Sequence, residues 1–174
     1  MKVIATETVF TSKNFQIKRN TIERNGKTFT KDFIDRNSVV LVIPYQGNEI
    51  YMESQFRDAL GTTSLEIVSG NMEASLDPLV NAERELKEET GLVAQTWTQI
   101  GEWDLSVSMK AKLYVFAATD LQEGESHLEF DEEIEVIKMP LEKVIENIDN
   151  GQITGASHIA ALLVFKKMKE EGKL

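Results

Sequence analysis

Cysteine is absent from the 174 residues, which excludes disulfides and thiolate metal sites and leaves the redox compartment open. No apolar run approaches the ~20 residues that a membrane-spanning helix needs. The opening MKVIATETVF is too polar for a secretory leader, so the cytoplasm is the expected compartment and no membrane partner is expected. Basic residues are scarce: 19 Lys and Arg stand against 29 Asp and Glu, a net charge of −10. Such a chain repels a phosphate backbone, which argues against a nucleic-acid polymer as partner. It also repels a small anionic substrate, unless bound divalent ions neutralise part of the acid charge and attract phosphates. No Gly-rich phosphate loop, GxGxxG pattern or Ser/His/Asp set occurs. The two histidines, His127 and His158, lie far from any partner motif and read as surface or helix-packing residues.

The length suits one domain with a real core. Residues 1–36 read as strands, with Asn25-Gly26 as a two-residue hairpin turn between them. Ser38 to Pro44, SVVLVIP, is a continuous β-branched run expected to be buried on both faces. Glu49 to Ser54 reads as its hairpin partner. Further strands are expected over Val93 to Glu102, Lys112 to Thr119 and Glu135 to Met139, with a loop at 103–111. Pro140 starts a helix through about Asp149, and Thr154 or Ser157 is expected to cap the last helix. Residues 120–133 are acidic and read mostly as a solvated loop.

The most informative stretch runs from Gly70 to Leu92. Asp77 followed by Pro78 reads as a helix start, and Gly91 as its stop. Glu85, Glu88 and Glu89 stand at i, i+3 and i+4, so their carboxylates project from one side, with Leu79, Ala82 and Leu86 on a neighbouring stripe. Like charges at this spacing cost roughly 0.2–0.5 kcal/mol per pair. Arg84 and Lys87 relieve part of that cost. A hard divalent cation, Mg²⁺ or Mn²⁺, would relieve the rest; a solvated acidic face is the plainer alternative.

Gly70, Arg84-Glu85, Glu88-Glu89 and Gly91-Leu92 resemble the Nudix box, G-x5-E-x7-R-E-U-x-E-E-x-G-U, with every spacing met. One position departs: the first Glu of the box falls on Leu76. In the family that Glu mainly ties the loop to the helix, so Leu76 bears on loop anchoring more than on metal binding; Glu73 and Asp77 are candidate substitutes. Gln55-Phe56-Arg57 and Leu65-Glu66-Ile67-Val68-Ser69-Gly70 narrow the resemblance to the ADP-ribose and nucleoside diphosphate sugar pyrophosphatases, with Val68-Ser69 in place of the usual Pro-Ala. The 103–111 segment lacks the subgroup's Pro- and Gly-containing form.

The resemblance implies an α/β (α+β) Nudix fold, a mixed sheet sandwiched between helices, in residues 37–174. Residues 1–36 would form an antiparallel strand extension that reaches a partner in a homodimer. It implies Glu85 and Glu89 as direct metal ligands, Glu88 as a ligand directly or through water, and the Ser69 carbonyl as a further one. Arg84 would orient a helix Glu through a bidentate bond. Arg57 would contact a phosphate and Glu66 would sit near the metals. Glu132, within Asp131-Glu132-Glu133-Ile134-Glu135-Val136, is the candidate general base or a further ligand, with Glu129 and Glu133 as substitutes. Phe33 and Phe29 are stacking candidates for the base, and Trp103 either stacks on a ligand or packs half in the core. The expected reaction is Mg²⁺-dependent hydrolysis of a nucleotide-sugar diphosphate, with ADP-ribose first and GDP-mannose or another such sugar next. Hydrolysis of nucleoside triphosphates or dinucleoside polyphosphates is one alternative; a non-catalytic nucleotide-binding module is another.

Overall fold

A computed structural model describes residues 1–73, 75–128, 130 and 132–174. In chain order the elements are β1 (Lys2–Thr11), β2 (Phe15–Arg24), β3 (Lys27–Arg36), β4 (Val39–Gln46), β5 (Glu49–Arg57), β6 (Thr62–Glu66) and β7 (Val68–Asn71). Then follow α1 (Pro78–Thr90), β8 (Leu92–Asp104), β9 (Met109–Lys110), β10 (Lys112–Glu123), β11 (Ile134–Pro140), α2 (Leu141–Asp149) and α3 (Ala156–Glu170).

The β-branched run of β4 is the centre of the molecule. Side chains alternate across a strand. Val40 and Val42 therefore pack with Val68, Phe116, Ala82 and Leu86 on the α1 side. Leu41 and Ile43 pack with Val115, Val144, Leu162 and Phe165 on the α2–α3 side. Both faces are covered, as the sequence of β4 predicts. β10 lies parallel to β4, with Leu113 opposite Val39, and β8 runs antiparallel to β10. The order among the described residues is β11-β5-β4-β10-β8, with β6 beside β5 and β7 beside β4.

The first three strands form a separate antiparallel sheet. Its hairpin turns at Asn25 and Gly26, with φ of 53° and 72°, the left-handed pair that a two-residue turn requires. This sheet joins the rest through β9, which pairs parallel to β3 at Ile34–Met109 and Asp35–Lys110. The 103–111 segment is thus not wholly a loop: it carries the short strand that ties the two sheets together. A second expectation also changes. Neither Thr154 nor Ser157 caps α3; Gly155 does, without a side-chain bond. No helix among the described residues is long and apolar enough to cross a membrane.

Leu86 is fully buried where α1 docks on β4 and β7. Leu86→Ala should lower the unfolding free energy by about 2–5 kcal/mol, measured by urea denaturation. A loss well under ~1 kcal/mol would contradict tight docking of this helix.

Candidate active site

α1 is fixed at both ends by its own sequence. The Asp77 side chain accepts the Leu79 N–H at 2.9 Å, Pro78 opens the first turn, and Gly91 closes the helix at φ 72°. With Ala82 and Leu86 held by the core, Glu85 and Glu89 face β7 and are themselves buried. Glu89 Oε2 accepts the Ser69 N–H at 3.3 Å. Gly70 must lack a side chain here: a Cβ would stand 2.0 Å from Glu85 Cδ. Glu88, the third carboxylate, is more open.

Arg84 does not grip one carboxylate with both nitrogens. Its Nη2 donates to Glu85 Oε1 at 2.6 Å and its Nη1 to Glu88 Oε2 at 2.7 Å. It therefore bridges two acids of the helix. Its Nε lies 3.8 Å from Glu73, too far for a hydrogen bond. The loop before α1 is anchored instead by Asn81, a fully buried helix residue. Asn81 Oδ1 accepts the Glu73 N–H at 2.9 Å, and Nδ2 donates to the Asp77 carbonyl at 3.0 Å. Leu76 leaves the loop without its usual acid, and an amide from inside the helix takes hold of it.

The second wall comes from β5 and β6. Their register sets Glu53 opposite Glu66. Glu66 receives two bonds from Arg57, Nε to Oε1 at 3.0 Å and Nη2 to Oε2 at 2.7 Å. Such a paired fork fixes direction as well as charge. Burial opposes ionisation of Glu66, but Arg57 and His158 outweigh it and hold its carboxyl below the usual range. Glu53 is only 2% exposed, and its Oε1 has no hydrogen-bond partner among the described residues.

Burial also pushes the Glu85 carboxyl up to about 7, with Arg84 working against the rise and Glu88 adding to it. Glu53 and Glu89 lie within hydrogen-bonding reach of each other, and burial lifts both well above the carboxylate range. Two such acids titrate as a pair, which holds a proton at neutral pH. The charge of Glu132 lifts Glu53, Glu85 and Glu89 alike, so the half-buried Glu132 belongs to the same cluster. Glu133 is exposed; Glu129 and Asp131 lie outside the described residues.

An all-oxygen set of buried acids, one with an orphaned atom, fits a hard divalent cation. Among the described residues no three His, Cys, Asp or Glu side chains are placed so that they could together hold a metal ion as they stand. Glu85 and Glu88 are engaged by Arg84, and Glu89 by Ser69.

Phe33 is not with the carboxylates. It lines a groove of about 1160 Å³ between the N-terminal sheet and the loop before α1, together with Met72, Leu76 and Tyr114. None of the cluster's acids lines that groove. Trp103 packs against the α2–α3 core rather than standing free, and Phe29 is exposed on the N-terminal sheet.

Three residues of this region escape a reading of the sequence. Glu53 sits at an ordinary alternating position of a strand, and only its register with Glu66 reveals it. Asn81 looks like a neutral helix residue. His158 is the buried, helix-packing one of the two expected alternatives, and its Nε2 lies 3.5 Å from Glu66 Oε2, a contact the sequence does not announce. None had a local signal beyond being a polar residue beside apolar ones.

The raised carboxyls set a pH dependence. Glu85 moves from the usual 4.5 to about 7 on folding, so between those values the folded chain binds the extra proton. Stability therefore falls as pH rises through that window, and the Glu53–Glu89 pair carries the decline higher. With EDTA present, the melting temperature should be lower at pH 8 than at pH 5.5, and Glu89→Gln should flatten the difference. An equal or higher melting temperature at pH 8 would contradict the burial of these acids.

Comparison with known proteins agrees with this architecture. The model of the NUDIX domain matches residues 35–161. The chain is 30% identical over 174 residues to an ADP-ribose pyrophosphatase of Bacillus subtilis (strain 168), covering 97% of this chain and 94% of that protein. It is 28% identical over 170 residues to a methanol dehydrogenase activator of Bacillus methanolicus, covering 92% and 90%. Among solved structures, an ADP compounds hydrolase superposes with a TM-score of 0.87 at 21% identity, covering 99% of this chain and 96% of that one, which speaks for the fold. With the family model spanning most of the chain and the box helix carrying its acids against β7, the chain belongs to the NUDIX domain family.

Proposed function

We propose that this chain is a divalent-metal-dependent pyrophosphohydrolase that cleaves the diphosphate of nucleoside diphosphate sugars. ADP-ribose is the first substrate, and GDP-mannose or another nucleotide sugar the next. The products are a nucleoside monophosphate and a sugar phosphate. One observation carries the reading: buried carboxylates from α1 and β5 crowd together while a half-exposed arginine, Arg57, stands beside them on Glu66. Acids alone would repel a diphosphate, and an arginine alone would bind it without cleaving it. The naming of the Bacillus subtilis relative as an ADP-ribose pyrophosphatase supports the substrate class.

Glu85 and Glu89 would hold the metal directly, Glu88 directly or through water, and Ser69 through its carbonyl. Mg²⁺ is the proposed ion, with Mn²⁺ as substitute. When bound, such an ion neutralises phosphate oxygens, acidifies a water and stabilises the leaving phosphate. Arg84 restrains Glu85 and Glu88 so that their free oxygens keep one orientation. Arg57 holds a phosphate of the substrate, and Glu66 keeps its guanidinium in place. Glu132 takes a proton from the attacking water on its carboxylate, a role that contributes about 10²–10⁴-fold.

The enzyme works as a cytoplasmic homodimer, with residues 1–36 as the dimerisation extension and 37–174 as the hydrolase domain. The exposed Val3, Ile4, Val9, Phe10 and Phe15 of the N-terminal sheet support this, since a partner would cover apolar side chains that the sheet leaves open.

Glu89→Gln should reduce Mg²⁺-dependent turnover of ADP-ribose by orders of magnitude while the circular dichroism spectrum stays native. Full activity in that variant would remove the metal assignment. A substrate panel discriminates further: free phosphate released from nucleoside triphosphates in preference to AMP from ADP-ribose would point to the triphosphate or dinucleoside polyphosphate hydrolases. Tight binding with no turnover at any metal would point to a non-catalytic module.

A further inference from the structure

At Ile67 the chain changes sheet partners. Residues up to Glu66 pair with β5, and residues from Val68 pair with β4. The crossing residue belongs to neither ladder, yet it is fully buried. Its N–H needs an acceptor from outside the sheet, because a buried unpaired amide is costly. That acceptor is His158 Nδ1, at 3.3 Å, reaching from the first turn of α3, 91 residues further along the chain. A ring nitrogen that accepts carries no proton, so in the neutral imidazole the proton sits on Nε2. Nε2 faces Glu66 Oε2. Glu66 in turn holds Arg57 with both oxygens. Room for the ring has been cleared at Gly155, where an added Cβ would lie 2.8 Å from His158 Cδ2. The backbone there, φ −66°, would suit any residue, so the glycine serves space and not conformation.

We infer that His158 is a positioning residue for Arg57: one nitrogen pins the strand switch by a hydrogen bond, the other lies 3.5 Å from Glu66 and limits where its carboxylate can sit, and Glu66 then presents the guanidinium to the substrate phosphate in one orientation. The inference rests on the reading of Arg57 as a phosphate contact. Arginine is rotamer-rich, and an arginine already held in place loses less freedom when a phosphate binds. The effect should therefore appear in substrate affinity more than in the chemical step.

Two variants separate the two nitrogens. In His158→Asn the side-chain oxygen stands near the place of Nδ1, keeps the Ile67 bond and loses the contact with Glu66. In His158→Gln the amide reaches the place of Nε2. His158→Asn should raise KM for ADP-ribose on the order of tenfold with kcat within about twofold, and with a melting temperature close to the parent's. His158→Gln should restore much of the lost affinity. Gly155→Ala, which crowds the ring and so shifts both of its contacts, should raise KM in the same direction; it carries the comparison if His158→Asn does not fold. Arg57→Gln should raise KM by itself, and adding His158→Asn to it should cost nothing more, because the histidine acts through the arginine. An unchanged KM in His158→Asn and Gly155→Ala, or costs that multiply in the double variant, would overturn the inference and leave the role of Arg57 intact. An unchanged KM in Arg57→Gln would overturn that role and the inference with it.

Discussion

Repulsion among carboxylates in a space that water barely reaches is the constraint around which this molecule is built. Glu53, Glu85 and Glu89 are each under one-tenth exposed. Left ionised together, they would cost far more than the marginal stability of a domain allows. The protein meets that cost in three ways. Protons remain on the cluster, Arg84 bridges Glu85 and Glu88, and Arg57 neutralises Glu66. A divalent cation would replace the proton as the compensating charge. On the proposed reading, the same energetic tension that destabilises the resting site would give it affinity for a cation and, through the cation, for a diphosphate.

The fold supplies the crowding. β4, buried on both faces, fixes β7 on one side and, through Val40 and Val42, the docking face of α1. Once Leu86 and Ala82 are seated, Glu85 and Glu89 have nowhere to point but at β7, and Gly70 leaves them room. The strand switch at Ile67 carries the chain from the β5–β6 pair, with Glu53, Glu66 and Arg57, to β7, and Glu53 comes within hydrogen-bonding reach of Glu89 on the helix. Core packing and active-site chemistry are therefore one arrangement: a helix that slid by one turn would lose its hydrophobic contacts and its carboxylate geometry together.

Much of this was legible in the residues themselves. The cap at Asp77-Pro78, the stop at Gly91 and the i, i+3, i+4 acids are local signals, and local signals survive folding. So are Asn25-Gly26 and the run at 38–44. What was not legible depends on contacts between distant parts of the chain. Glu53 becomes part of the cluster only through register with Glu66, and His158 only by reaching Ile67 across 91 residues. α3 has its N-cap at Gly155 and not at the hydroxyls of Thr154 or Ser157, and the ring of His158 fills the space a side chain at Gly155 would need. The loss of the box acid at Leu76 was visible; its replacement by Asn81 was not, since an asparagine inside a helix carries no mark of the loop it holds.

The central claim is that a divalent cation takes the place of protons held by buried acids. Metal binding to protonated ligands must release those protons. The direct measurement is a titration of EDTA-stripped, dialysed protein with Mg²⁺ in weak buffer at pH 7, recording proton release. The account predicts saturable release that Glu89→Gln diminishes. Saturable Mg²⁺ binding with no proton released, or equal release from the Glu89→Gln protein, would contradict it.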